Sequence, residues 1–135
     1  MRIHELLEFI DRKQLKSIER DIDSKWLPQG IDVDFTGHFL DRANDPRNIK
    51  DIEPEEILSL FHKELDTYKN TIAKIKNDEV VFVDTDTDIN APVAVNTVPR
   101  GDEKPGKHII AKTVMRKKNF SSPNKKLVVP LRRPI

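Results

Sequence analysis

The hydrophobic pattern of the chain changes its period close to Asp78, and this change restricts the fold more than any other feature. Before Asp78, apolar residues recur every three or four positions, as they do along one face of an amphipathic helix. After it, short runs of β-branched residues alternate with turn residues, which is typical of strands. Helices followed by a strand meander define the α+β class. The 135 residues are expected to form a single domain over residues 1–135.

Three helices are expected before Asp78, over residues 2–23, 33–43 and 54–76. The second is expected to stop just before Pro46, because the residue that precedes a proline disfavours the helical conformation. The third has the most regular pattern. Pro54 suits its first turn, and the glutamates beside it complement the positive end of the helix dipole.

Four strands are expected after Asp78, over residues 80–83, 91–98, 108–117 and 127–131. The last is short and contains Pro130, which predicts a position at the edge of the sheet. The expected architecture is therefore about three N-terminal helices packed on a small four-stranded antiparallel sheet.

The charge of the chain is unevenly distributed, although the net charge is only +1. The residues from Gly101 onward include ten basic and two acidic side chains, and no acid follows Lys112. A basic C-terminal third on an acidic body favours a localised surface for a polyanion, with a solvated basic tail as the alternative. Because Phe120 and strand-like apolar residues interleave with the basic ones, nucleic acid is the favoured partner.

Composition also excludes several classes of site. The chain contains no cysteine, which excludes disulfides, a thiolate nucleophile and cysteine-based zinc sites. With neither a signal-peptide pattern nor a run of about 20 apolar residues, a cytoplasmic protein without a membrane partner is expected. The loop that begins at Asp84 starts like a calcium loop, but Ile89 and Val95 replace its required glycine and glutamate. Neither a metal site nor a cofactor is therefore expected.

The segment 36–47 combines a histidine, an acid and an arginine within about one helical turn. On a helix, His38 and Arg42 face the same way because they are four residues apart. A titratable proton carrier beside a fixed cation suits chemistry on a phosphate. The alternative is a surface helix with an ion network and a partly buried histidine.

Metal-free RNA cleavage is one chemistry that such residues can perform. It requires a base for the ribose 2′-OH proton, an acid for the departing 5′-oxygen and cations for the phosphorane. Histidine, with a pKa near ~6.5, can take either proton-transfer role. His38 and His62 form the natural pair, with Arg42 and the lysines after Thr113 as sources of positive charge.

Two histidine motifs give the chain a family resemblance. His38-Phe39-Leu40-Asp41-Arg42-Ala43, followed by Leu60-Phe61-His62-Lys63, resembles motifs of the RegB-type phage endoribonucleases. Later segments are also similar, namely Thr113-Val114, Phe120-x-x-Pro123 and Arg132-Arg133-Pro134. The resemblance covers roughly residues 36–76 and 107–135. The connection 44–50 is longer than in that family, and residues 78–107 match it poorly.

The resemblance implies a RelE-like fold and metal-independent cleavage of mRNA in purine-rich translation-initiation regions, which leaves a 2′,3′-cyclic phosphate. It assigns the two essential histidines to His38 and His62, and an acid–arginine pair to Asp41 and Arg42. The ribosome or a ribosomal protein is a further candidate partner. The predicted catalytic residues are thus His38, His62 and Arg42, and the predicted substrate-binding residues are Asp41, Lys112, Arg116, Lys117, Lys118 and Lys125. A non-catalytic RNA-binding phage regulator is the alternative function, and a phage structural or accessory protein is a third.

Overall fold

The computed structural model describes residues 10–48, 50–101 and 103–130. These residues form three α-helices, which are α1 (Arg12–Trp26), α2 (Gly37–Ala43) and α3 (Pro54–Lys74), with a 3-10 turn at Leu27–Gln29. They also form six strands, which are β1 (Ile31–Phe35), β2 (Asn77–Asp84), β3 (Ile89–Arg100), β4 (Glu103–Ala111), β5 (Met115–Arg116) and β6 (Lys125–Val129). Within these ranges, no helix combines the length and the apolar character that crossing a bilayer requires.

The strands form one mixed sheet in the order β1-β4-β3-β2-β6, with β5 paired to β3. The strand β3 is antiparallel to β2, β4 and β5, whereas β1 is parallel to β4 and β6 is parallel to β2. The α+β class is confirmed, and so is the edge position of the last strand. The prediction of four strands, all antiparallel, is wrong. Each outer strand is separated from its partner by a long stretch of chain, and such connections permit parallel pairing.

The predicted start of the second helix at residue 33 is wrong, because residues 31–35 form the strand β1. Ile31 and Val33 alternate with Asp32 and Asp34, and this period of two suits a strand with one buried face. The helix α2 starts only after Thr36, whose hydroxyl accepts a hydrogen bond from the backbone N–H of Phe39 at 3.0 Å.

The other predicted elements agree with the structure except at their boundaries. The predicted helix over residues 2–23 lies partly outside the described residues, and its described part continues to the buried Trp26. The predicted third helix is confirmed, with a local departure from helical geometry at Tyr68. The strand predicted over residues 108–117 is instead divided, because β4 ends at Ala111 and β5 begins at Met115.

A row of four aromatic rings connects the helices to the sheet. The centroid of the Phe35 ring lies 4.8 Å from that of Phe39 and 5.1 Å from that of Phe61, and Phe61 lies 5.4 Å from Phe82. Phe39, Phe61 and Phe82 are fully buried. Burial of such rings is a major stabilising contribution in a core of this size. The contacts among these rings hold α2 and α3 against the sheet, and these two helices carry the histidine motifs.

Candidate nucleic-acid interface

The first turn of α2 is anchored to the end of β4. The backbone N–H of Thr36 donates to the carbonyl oxygen of Ala111 at 3.1 Å, and its hydroxyl donates to the carbonyl oxygen of Lys112 at 2.9 Å. These hydrogen bonds set the position of the helix that presents His38 and Arg42.

The other end of α2 is tied to β5 by Asn48. Its side-chain amide donates to the carbonyl oxygen of Arg42 at 3.0 Å, while its side-chain oxygen accepts from the backbone N–H of Arg116 at 3.0 Å. One amide therefore brings the histidine motif next to the basic segment, although the two are about 70 residues apart in sequence.

Two adjoining cavities result from this arrangement. The first, of about 470 Å³, is lined by Arg42, Asp45, Arg47, Asn48, Val114, Met115, Arg116 and Lys117. The second, of about 370 Å³, is lined by Val83, Asp84, Thr85, Asp88, Asn90, Lys117, Lys118, Asn119, Phe120, Lys126 and Val128. Because Lys117 lines both, we call the two cavities together the basic groove. Apart from the buried Arg116, its cations are Arg42, Arg47, Lys117, Lys118 and Lys126.

One acid holds two of these cations in place. Asp45 accepts from Arg47 at 2.7 Å and from Arg42 at 3.4 Å. The hydrogen bonds from Arg47 lower the pKa of Asp45 to about 2. The side chains of Arg42 and Arg47 remain 41% and 74% exposed. Two arginines against one carboxylate leave a net positive charge at this end of the groove.

The guanidinium of Arg116 is buried and forms its hydrogen bonds with other groups of the protein. The residue is only 8% exposed, and its guanidinium donates to the carbonyl oxygens of Lys50, Asp51 and Thr87 at 2.6–3.0 Å. A fourth hydrogen bond, of 2.6 Å, reaches the carboxylate of Glu56. Burial would raise the pKa of Glu56, but the bond from Arg116, the backbone bond from Glu53 and the charges of Arg116 and Lys50 together lower it. We therefore assign Arg116 a structural role in place of the expected substrate contact.

The remaining predicted substrate residues are distributed over several surfaces. Lys112 is exposed and forms an ion pair with Glu79. Lys125 is exposed at the start of β6, next to Lys126 of the groove. Asp41 lines a separate cavity of about 570 Å³ with residues of α1. Asp41 and Arg42, although adjacent in sequence, thus line different cavities.

The two predicted catalytic histidines have different neighbours. His38 is exposed on the first turn of α2, whereas His62 is partly buried against the last turn of α1. Its Nδ1 accepts a hydrogen bond from Nε1 of Trp26 at 3.2 Å, so the neutral ring carries its proton on Nε2. Burial, followed by the charge of Lys25, lowers the pKa of His62. Among the described residues, no hydrogen bond or ion pair joins the histidines, and no residue is bonded to both.

Sequence reasoning missed Arg47 and Asn48 as parts of this interface. Both lie in the segment after Pro46, which the sequence assigns to a loop. Their role arises from β5, whose position in the sheet no local pattern indicates.

Comparisons of this chain with protein-family models, with curated proteins and with solved structures find no match. The geometry of the basic groove and the two histidine motifs are therefore the basis for assigning a function.

Proposed function

We propose that the protein is a metal-independent endoribonuclease that binds single-stranded mRNA along the basic groove. It cleaves by attack of a ribose 2′-OH and leaves a 2′,3′-cyclic phosphate. The main support for the proposal is that Arg42, a residue of the first histidine motif, lines the same groove as Lys117. Purine-rich translation-initiation regions are the proposed targets, which implies that the enzyme acts in the cytoplasm, with the ribosome or a ribosomal protein as a further candidate partner.

In this proposal, RNA binds mainly through contacts of its phosphates with the cations of the groove, and stacking of a base adds to them. Lys117, Lys118 and Lys126 act as point charges for successive phosphates, and the fork of Arg42 accommodates a phosphate in two-point contact. Phe120 lines the second cavity and is only partly buried. Its ring offers a surface on which an unpaired base can stack, and stacking of this kind is typical of single-stranded nucleic acid recognition.

Catalysis in this proposal gives different tasks to the two histidines. His38 is exposed and exchanges protons with the ribose or the leaving group directly, while Arg42 stabilises the charge that develops on the phosphorane. His62 takes part in proton transfer only after Trp26 releases its Nδ1. Substrate binding therefore has to displace that hydrogen bond before both histidines can act.

The test is incubation of the purified protein with an RNA that contains a GGAG element, in the presence of EDTA, with analysis of the product ends. We expect cleavage that leaves a 2′,3′-cyclic phosphate, and a loss of about 100-fold in rate for His38→Ala and for His62→Ala. His108→Ala is the matched histidine control, because His108 belongs to neither histidine motif, and it should retain activity. An absence of cleavage, or equal cleavage by the His38→Ala His62→Ala protein, would refute the proposal.

A second candidate function is a non-catalytic RNA-binding regulator. It is favoured by the bond that ties His62 to Trp26 and by the separate surroundings of His38. It predicts salt-sensitive RNA binding that is lost when Lys117, Lys118, Lys125 and Lys126 are neutralised and unchanged when the histidines are replaced. Binding without cleavage would select this function over the first.

A further inference from the structure

A mixed cluster of carboxylates and imidazole lies on the two strands at the β1 edge of the sheet, and it shares no residue with the basic groove. Asp32 and Asp34 are two residues apart on β1 and therefore lie on the same face of the strand. Asp32 is directly opposite His108 in the parallel pairing of β1 with β4. Nε2 of His108 lies 2.6 Å from a carboxylate oxygen of Asp34. One ligand atom from each of the three residues lies within 4.8 Å of the other two.

Two acids of α1 approach the same cluster. The carboxyl group of Glu19 interacts electrostatically with that of Asp34, and the carboxyl group of Asp23 with that of Asp32. Asp23 also accepts from the backbone N–H of Val33 at 3.2 Å. Ionised carboxylates at close range repel one another, so a cation among them is favourable.

Burial, followed by the neighbouring Asp34, raises the pKa of Glu19 to about 7. Lys16 places a positive charge near Glu19 and Asp34.

We propose that Asp32, Asp34 and His108 form a binding site for a divalent transition-metal cation such as Mn²⁺, Co²⁺ or Zn²⁺. One imidazole nitrogen with two carboxylates is a ligand set that suits these ions, whereas Ca²⁺ and Mg²⁺ prefer oxygen alone. The ligands stand on paired strands, which hold them more rigidly than loops do. The side chains of His108 and Asp34 are 30% and 48% exposed, so an ion can reach them from solvent.

The position of the site also indicates what the ion does. Asp32 and Asp34 belong to β1, His108 belongs to β4, and Glu19 and Asp23 approach from α1. A divalent charge at the centre offsets the repulsion among these carboxylates and draws the three elements together. The bound metal therefore stabilises the packing of α1 against the sheet, and it takes no part in events at the basic groove.

Metal binding can be measured directly on the purified chain. Titration with Mn²⁺ followed by electron paramagnetic resonance, and with Zn²⁺ by calorimetry, should show one ion bound per chain. We expect Asp32→Asn, Asp34→Asn and His108→Gln each to weaken binding by about tenfold or more. Asp66→Asn, an exposed aspartate of α3 that pairs with Lys25, is the control and should bind as the wild type does.

A second measurement needs no variant, and it keeps the proposal testable if one of the variants folds poorly. Substoichiometric Mn²⁺ should broaden the NMR signals of the His108 ring and leave those of His38 and His62 sharp. The proposal is wrong if no stoichiometric binding occurs, if the Asp32→Asn Asp34→Asn protein binds equally well, or if another histidine broadens first. RNA binding by these variants should be unchanged, so the failure of either proposal can be distinguished from the failure of the other.

Discussion

Trp26 donates a hydrogen bond from its indole nitrogen to Nδ1 of His62 over 3.2 Å, which joins the last turn of α1 to the middle of α3. The indole is 2% exposed, and Lys25 lies over its ring at 5.0 Å. The chain has a single tryptophan. Its fluorescence therefore reports on one histidine of the proposed active site without any added label.

Trp26 fluorescence should change with pH as His62 titrates. A protonated imidazole carries hydrogens on both nitrogens and cannot accept from Trp26, so protonation breaks the bond. Because burial and then Lys25 lower the pKa of His62, the midpoint should fall below about 6.5. His62→Gln should lack the transition. A midpoint at or above 6.5, or an unchanged transition in the variant, contradicts the assignment.

Replacement of Arg116 should destabilise the fold. Arg116→Met removes a buried donor that serves Glu56 and three carbonyl oxygens. Removal of one partner of a buried ion pair costs about 3–5 kcal/mol, so we expect a loss of about 3 kcal/mol in the free energy of unfolding. Urea denaturation followed by circular dichroism measures it.

The neighbouring residue supplies a matched control for that experiment. Lys117 is exposed, and Lys117→Met should change stability by less than about 0.5 kcal/mol. If Arg116→Met is as stable as Lys117→Met, then Arg116 is not a structural residue and its expected contact with substrate becomes the better interpretation.

The stability of the protein should depend on pH through the buried Glu64. One carboxyl oxygen accepts from the backbone N–H of Val83 at 3.1 Å, and among the described residues the other oxygen has no partner. Burial, followed by the charge of Asp84, raises the pKa of Glu64 to about 9. Since the unfolded chain ionises near pH ~4.5, its contribution to stability is fully present below that pH and is lost as pH rises towards 9.

Glu64→Gln isolates this effect, because glutamine resembles the neutral acid and does not titrate. The difference in unfolding free energy between the variant and the wild type should shift in favour of the variant as pH rises, by up to about 1.4 kcal/mol per pH unit. Urea denaturation at three pH values between 5 and 9 measures it. Glu19 titrates in the same direction in both proteins and cancels in the difference. A difference that does not vary with pH would mean that Glu64 is ionised in the folded state.

RNA affinity should depend on salt through the lysines of the basic groove. For single strands, each phosphate contact contributes about 0.7 to the slope of log affinity against log salt concentration. Lys117→Gln and Lys118→Gln should each reduce the slope by about that amount in fluorescence anisotropy titrations. Lys74→Gln, in the last turn of α3, should leave it unchanged. Equal slopes for all three variants would place the RNA on another surface.

The sequence was sufficient to predict elements whose periodic pattern is long. The helix α3 has about six turns of regular apolar spacing, and its predicted start at Pro54 is correct. Ile31 to Phe35 also alternate between apolar and acidic residues, but the predicted helix includes part of this strand because only Thr36 separates it from α2. The parallel pairing of β1 with β4 joins residues more than 70 positions apart, and no local pattern specifies such a contact.

The candidate site shows the same division between local and distant information. The position of Arg42 on α2, four residues from His38, follows from spacing alone. The burial of Arg116 does not follow from spacing, because in sequence it resembles the exposed lysines beside it. Its acceptors, which include the carbonyl oxygens of Lys50 and Thr87, come from distant segments of the chain. The bond between Trp26 and His62 is likewise a contact between distant segments, and it changes what His62 can do chemically.

The pairing of β6 with β2 covers an apolar strand that would otherwise stand at the edge of the sheet. The strand β2 contains the apolar run Val80-Val81-Phe82-Val83. One side of β2 pairs with β3, and β6 pairs with the other side. Tyr68 of α3 secures β6 with a hydrogen bond of 2.7 Å to the carbonyl oxygen of Val128. Loss of β6 would leave an apolar strand edge open, which is the usual starting point for intermolecular β-pairing. The two lysines at the start of β6 also place positive charge at this edge of the sheet, and charge on an edge strand disfavours intermolecular pairing.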